Sequence, residues 1–202
     1  MSYANMKNYA SMKNKAFPNR FRQRYAFIFL LSVLCVTLTG CQIFASKIAR
    51  QYHDGIPGNT HLAMLPFINH IEVPEEEVVQ LKRILKVQLA AAGVTNTTAF
   101  QKPKTTLTPS YLSDIYELEQ AQLWAKHRKI TMSIMGEVLE WQYDEQNRFS
   151  TALQLKVFHI DSGEVIWSIN GFGEGRPDEA AYDVNRKLIT DLVAAMPVQK
   201  PK

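Results

Sequence analysis

The chain has 202 residues, room for one domain with a leader or tail, and a formal charge of +4 with a pI near 9.0. The basic excess sits at one end: residues 1–40 hold six basic residues (Lys7, Lys13, Lys15, Arg20, Arg22, Arg24) and no acid, while from Cys41 onward 17 basic residues face 19 acidic ones. Composition therefore excludes a generic nucleic-acid or basic surface binder for whatever follows the leader.

Residues 1–24 are polar and basic, and Tyr25–Val36 is apolar apart from Ser32. That run is too short for a comfortable transmembrane helix and fits the h-region of a signal peptide. Leu38-Thr39-Gly40-Cys41 follows. Basic flank, apolar run and tetrad, in that order, resemble the leader and lipobox of bacterial lipoproteins. The resemblance implies a signal peptide over 1–40, diacylglyceryl transfer to the Cys41 thiol, cleavage before it, and acylation of the new amine. Several acyl chains together hold a protein on a bilayer essentially permanently. Gln42 occupies the sorting position where Asp favours the inner membrane, so the resemblance points to the outer membrane, facing the periplasm.

The polar stretch 41–60 reads as a lipidated tether and 61–197 as the globular domain, with 198–202 as a tail. His61–Ile68 is apolar and predicts a first strand, with Pro66 near its end. Pro74 and Glu75-Glu76-Glu77 open a helix, with Pro at the first turn and acids at the positive end of the dipole. Val78, Leu81, Ile84, Leu85 and Leu89 give it one apolar stripe, and Gly93 closes it. A short strand is expected within Val94–Phe100 and a loop over Gln101–Pro109. A second helix begins near Ser110, with Ile115, Leu118 and Leu123 among its apolar positions. Its basic end, Lys126-His127-Arg128-Lys129, is the ordinary complement of the helix dipole.

Three β-rich runs follow, Ile130–Tyr143, Phe149–Ile160 and Glu164–Phe172, separated by Asp144–Arg148 and Asp161-Ser162-Gly163. Their spacing predicts an antiparallel meander. Ser162 in its Asp-Ser-Gly context is better explained by a hairpin turn than by a nucleophile. Gly171–Gly175 reads as a flexible loop and not a dinucleotide fingerprint, since no parallel strand–helix–strand unit surrounds it. Asp178 opens a last helix, with Ala181, Val184, Leu188, Leu192 and Val193 as its stripe and Pro197 beyond it. The fold class is α/β: a single-domain sandwich with a small mixed sheet dominated by the C-terminal three-stranded meander, helices packed on it. Cys35 and Cys41 cannot cross-link that domain, and the five scattered His residues have no metal-ligand spacing, so no metal or cofactor is expected beyond the lipid on Cys41.

On the first run, Ile130, Met132, Ile134 and Val138 line one face, while Leu139, Trp141 and Tyr143 are apolar on the other. The second face needs a cover: a helix of the same chain, a neighbouring subunit, or lipid.

Gly136-Glu137-Val138-Leu139-Glu140-Trp141-Gln142-Tyr143, the alternating strand after it, and Asp161-Ser162-Gly163-Glu164-Val165-Ile166-Trp167-Ser168 resemble the PelC family, outer-membrane lipoproteins of the Pel exopolysaccharide secretion system. The first strand, ending Leu65-Pro66-Phe67, resembles the wider group that includes CsgG and the N-terminal domain of TolB. The resemblance spans roughly 62–193. It implies no enzyme but a homo-oligomeric ring, a dodecamer being one candidate, under the outer membrane and beneath the porin PelB. A polar lumen would guide a cationic polysaccharide. Glu137, Glu140, Asp144, Glu145, Asp161, Glu164 and Glu174 are the candidate guiding acids. Leu139, Trp141, Tyr143 and Phe172 are candidates for an interface or for contact with lipid.

Two other classes compete. A lipoprotein module that activates an envelope enzyme needs a long reach, and the nineteen residues Gln42–Thr60 span roughly 65 Å extended and roughly 25 Å as a coil. A CsgG-like secretion pore needs additional membrane-spanning hairpins of about ten residues per strand.

Overall fold

Period-two alternation in the last third of the chain draws out three long strands, and the shorter elements assemble around them. In the computed structural model, residues 42–43, 46–101 and 113–199 are described. In chain order they form β1 (Gln42–Ile43), β2 (Lys47–Ile48), a 3-10 turn (Arg50–Tyr52), β3 (Ile56–Pro57), β4 (Leu62–Met64), β5 (Ile68–Asn69) and helix α1 (Glu75–Ala91). Then come β6 (Thr97–Ala99), α2 (Ser113–His127), β7 (Met132–Tyr143), β8 (Phe149–His159), β9 (Val165–Glu174), α3 (Ala181–Ala194) and β10 (Val198–Gln199). The leader, Cys41 and the expected loop at 102–109 lie outside the described residues.

The main sheet runs β1-β9-β8-β7-β4-β6, with β2 also on β9 and β5 also on β7. β4 is parallel to both β6 and β7, whereas β7, β8 and β9 are antiparallel. The architecture is the expected mixed α/β sandwich dominated by the meander. Helices α1 and α3 pack on one face: Val78, Leu81, Ile84, Leu85 and Leu89 from α1 and Leu188, Ile189, Leu192 and Val193 from α3 meet Met132, Ile134, Val138, Leu153, Leu155 and Trp167. Helix α2 packs on the other, where Ala121 and Ala125 meet Ala63, Leu65, Met135 and Phe158.

The structure corrects several expectations. Ile115 and Leu123 are 59% and 50% exposed, because the small side chains Ala121 and Ala125 make the close contact of α2 with the sheet. Ile130 precedes β7 and joins the α2 cluster, not the Met132 face. Gly171-Phe172-Gly173-Glu174 is no loop: it continues β9, paired with Ser150–Leu153 of β8. Asp178 does not open the last helix, which starts at Ala181; Asp178 has a left-handed φ of 61° just before it. The stretch expected as a free tether is folded onto the domain. β1 and β2 pair along the outer edge of β9, fully buried Ile56 enters the core, and β3 pairs with β10 from the expected tail.

A β-bulge changes the reading of β7. The partners of Val138 and Glu140 on β8 are Leu153 and Ala152, so Leu139 is the extra residue. One inserted residue flips all later side chains to the opposite parity. Trp141 and Tyr143, opposite Thr151 and Phe149, therefore return to the Val138 face, and the expected second apolar face does not form.

Candidate functional site

Helix α2 covers only part of its face of the sheet. On the rest, Ser150, Ala152, Gln154 and Lys156 of β8 and Ser168, Asn170 and Phe172 of β9 are half-buried, alternating with buried residues on the helix side. This bare face and its two end turns hold the seven candidate acids, and the fold divides them into three groups.

Glu137 lies in the sheet at 8% exposure. Its Oε1 accepts from Lys156 Nζ and its Oε2 from His70 Nε2 at 3.0 Å. A carboxylate only accepts, so Nε2 of His70 carries the proton. Burial pushes the Glu137 carboxyl up, but the hydrogen bonds and charges of Lys156 and His70 outweigh it and hold it below the ordinary value. Glu137 is thus tied down within its own chain.

At the β7–β8 turn, Asp144 Oδ1 accepts from the backbone N–H of Gln146 and of Arg148, each at 2.9 Å, and Oδ2 accepts from the Arg148 guanidinium at 2.7 Å. These bonds, the Arg148 amide first, hold its carboxyl below the usual range. Arg148 also reaches Glu174 at 3.1 Å. Glu140 accepts from Ser150 at 3.1 Å and Gln142 at 2.9 Å, and Glu145 is exposed at the turn. Four acids gather at this end, and two of them, Asp144 and Glu174, share the Arg148 guanidinium.

Asp161 and Glu164 sit at the other end, on the β8–β9 turn. Lys126 is 3.6 Å from Asp161, and Ser162 Oγ accepts from the Glu164 N–H at 3.2 Å while Gly163 has φ 69°. The Asp-Ser-Gly triplet is a turn. The 11 residues of β8 separate the two end groups by about 35 Å.

The four apolar candidates also separate. Half-buried Trp141 packs edge-on against Phe149 at 4.7 Å and against the small cluster that Phe149 forms with Ala181 and Val184. Tyr143, 55% exposed, tilts on Phe149 at 5.1 Å, and Leu139 is 39% exposed at the bulge. Phe172 is half-buried on the bare face, in register with Ala152 and Gln42. Cys41 is outside the described residues. Among the described residues no three His, Cys, Asp or Glu form a metal cluster, and no helix is long and apolar enough to cross a membrane. His159 pairs with the Tyr52 hydroxyl at 2.9 Å and His61 with that of Thr98 at 2.8 Å.

Sequence reasoning missed two features. One is the Lys156–Glu137–His70 cluster, signalled only by Gln154 and Lys156 at the outward positions of β8. The other is a groove of about 730 Å³ on the outer side of α1 and α3, lined by Glu75, Glu76, Val79, Arg83, Val87, Tyr182 and Arg186 among others. Its apolar residues fall outside the core stripe and read as ordinary surface.

No family model matches the chain, and no curated protein matches it in sequence. Among solved structures, the PelC dodecamer from Paraburkholderia phytofirmans superposes with a TM-score of 0.60 at 16% identity, covering 79% of this chain and 99% of that one. A single-residue variant of that dodecamer in another crystal form gives 0.58, also at 16% identity, over 79% and 98%. Lipoprotein GNA1162 from Neisseria meningitidis gives 0.43 at 12% identity, over 67% and 96%. The chain shares the PelC fold.

Proposed function

We propose that this chain is a lipid-anchored envelope protein whose copies assemble into a ring that guides an exopolysaccharide toward an outer-membrane porin. The observation that carries the reading is the fold, shared over 79% of the chain with a protein solved as a dodecamer. The Leu38–Cys41 tetrad supports the anchor. The reading needs no catalysis by the chain.

The geometry narrows the guiding acids. Glu137 is neutralised internally, and Asp144 organises its own turn. Glu140, Glu145 and Glu174 lie at the Arg148 end of the sheet, where Arg148 already pairs with Asp144, and the acids outnumber that cation. A single subunit's field decays within about 8 Å at physiological salt, whereas a closed lumen lined by one sign focuses it. A cationic polymer fits such a lining. The activator alternative is disfavoured because Gln42–Ile43 and Lys47–Ile48 are paired along β9, which shortens any free tether.

Two measurements test the reading. Deleting the gene should abolish secreted polysaccharide, and the Cys41→Ser form should fail to restore it from a soluble or unprocessed pool. Neutralising Glu140, Glu145 and Glu174 together (Glu→Gln) should lower secretion while assembly persists. Unchanged secretion in the deletion strain would overturn the function. Unchanged secretion in the triple variant would remove the acids from it.

A further inference from the structure

The largest exposed apolar side chains of the helices lie on opposite outer layers of the sandwich. Val79 and Val87 on α1, with Tyr182 on α3, are 40%, 63% and 46% exposed along the groove; Ile115, Tyr116 and Leu123 on α2 are 59%, 41% and 50% exposed on the far side of the sheet. A groove on one side and a ridge on the other make a heterologous contact, which closes into a ring when the rotation per copy permits.

The two patches match in detail. α1 presents Val79-Arg83-Val87 and α2 presents Ile115-Glu119-Leu123, each apolar, charged, apolar at four-residue steps. Each set spans about 12 Å along one side of its helix. Arg83 lines the middle of the groove, with Glu75 and Glu76 at the start of α1 and Arg186 paired to Asp183 at 3.4 Å, and Glu119 stands exposed between the two apolar residues of the ridge.

Topology fixes the direction of the match. α1 links β4 to the parallel strand β6, and α2 links β6 to β7, which is parallel to β4. Crossover helices return against their strands, so α1 and α2 point the same way. In a ring of many copies, neighbours differ by a small rotation, and the neighbour's α2 meets α1 nearly parallel. We propose that the α1–α3 groove of one copy receives the α2 ridge of the next copy of this chain, with Ile115 against Val79, Glu119 against Arg83 and Leu123 against Val87. This contact rests on the ring reading above and names the surfaces that build it.

The test uses the full-length chain extracted in detergent, with light scattering over a concentration series. Wild type should form one large species. Arg83→Glu and Glu119→Arg should each raise the concentration for half-assembly by about tenfold or more, since facing like charges at an interface are costly. The Arg83→Glu/Glu119→Arg double variant, and an equal mixture of the two single variants, should reassemble. Unchanged thermal unfolding of the singles would show that folding is intact. Singles that assemble like wild type would overturn the contact and leave the ring standing. Loss in the Arg83 variant alone would point to a groove-to-groove dimer and also overturn it. Loss in both singles without rescue would overturn the 83–119 pairing. A wild-type chain monomeric throughout would overturn the ring itself.

Discussion

Strand β7 joins two halves of one sheet that are built on different principles. Toward β4 and β6 the sheet is parallel, its strands are three residues long, and helices cover both faces. Toward β8 and β9 it is antiparallel, with strands of 11 and 10 residues, covered by helices on one face only along most of its length. Parallel strands connected by helices are buried by those helices, while hairpin-connected strands can leave a face wet. β7 records the change along its own length: Met132–Val138 is buried throughout, and beyond the bulge at Leu139 exposure returns. The doubly covered part is a scaffold, and the singly covered part is where polar residues are free to meet something else.

Three substitutions would break or sharpen this contrast. The largest effect is expected from Trp167→Ala, because the antiparallel half has one core layer and Trp167 is its largest fully buried side chain. The loss should be about 3–5 kcal/mol in urea titration; a loss below about 1 kcal/mol would mean that the layer repacks freely. Next is Glu137→Gln, which leaves Lys156 without its carboxylate and should cost about 1–3 kcal/mol near neutral pH. Because the Glu137 value is lowered on folding, its contribution is complete above the unfolded value near 4.5 and disappears as pH falls through the lowered folded value. Urea midpoints of wild type and variant should therefore converge in acid; a constant gap from neutral pH to strongly acidic conditions would contradict the assignment. The smallest effect is expected from Gln154→Ala on the bare face, within about 0.5 kcal/mol. A larger loss would show that this face is packed in the folded chain.

Much of this was legible in the sequence, for physical reasons. The α1 stripe obeys helical period, and all five of its residues are buried. Gly93 and Gly163 take the positive φ their positions called for, 95° and 69°. The bulge is not legible: Leu139 is an apolar residue among apolar residues, with no glycine to mark it, so plain alternation runs through it and puts Trp141 on the wrong face. In α2 the inward positions are alanines, so ranking by side-chain size selected Ile115 and Leu123, which point outward. Two-residue strands such as β1 and β3 have no period at all, and only their distant partners define them. Among the acids, chain order gave no hint that Glu137 is consumed by Lys156 and His70, or that the two turns stand at opposite ends of one sheet.

The pairing of Gln42 with Phe172 and of Ile43 with Gly171 has a kinetic consequence. The partner of the first described strand is made about 130 residues later, so β1 and β2 cannot dock until the meander exists. Closing so long a loop is paid for before any contact returns energy, which places this step late in folding. Until then β9 has an open edge able to accept a strand from another molecule. The segment that carries β1 and β2 is thus the last to be captured. Its docking seals that edge of the sheet against a stranger.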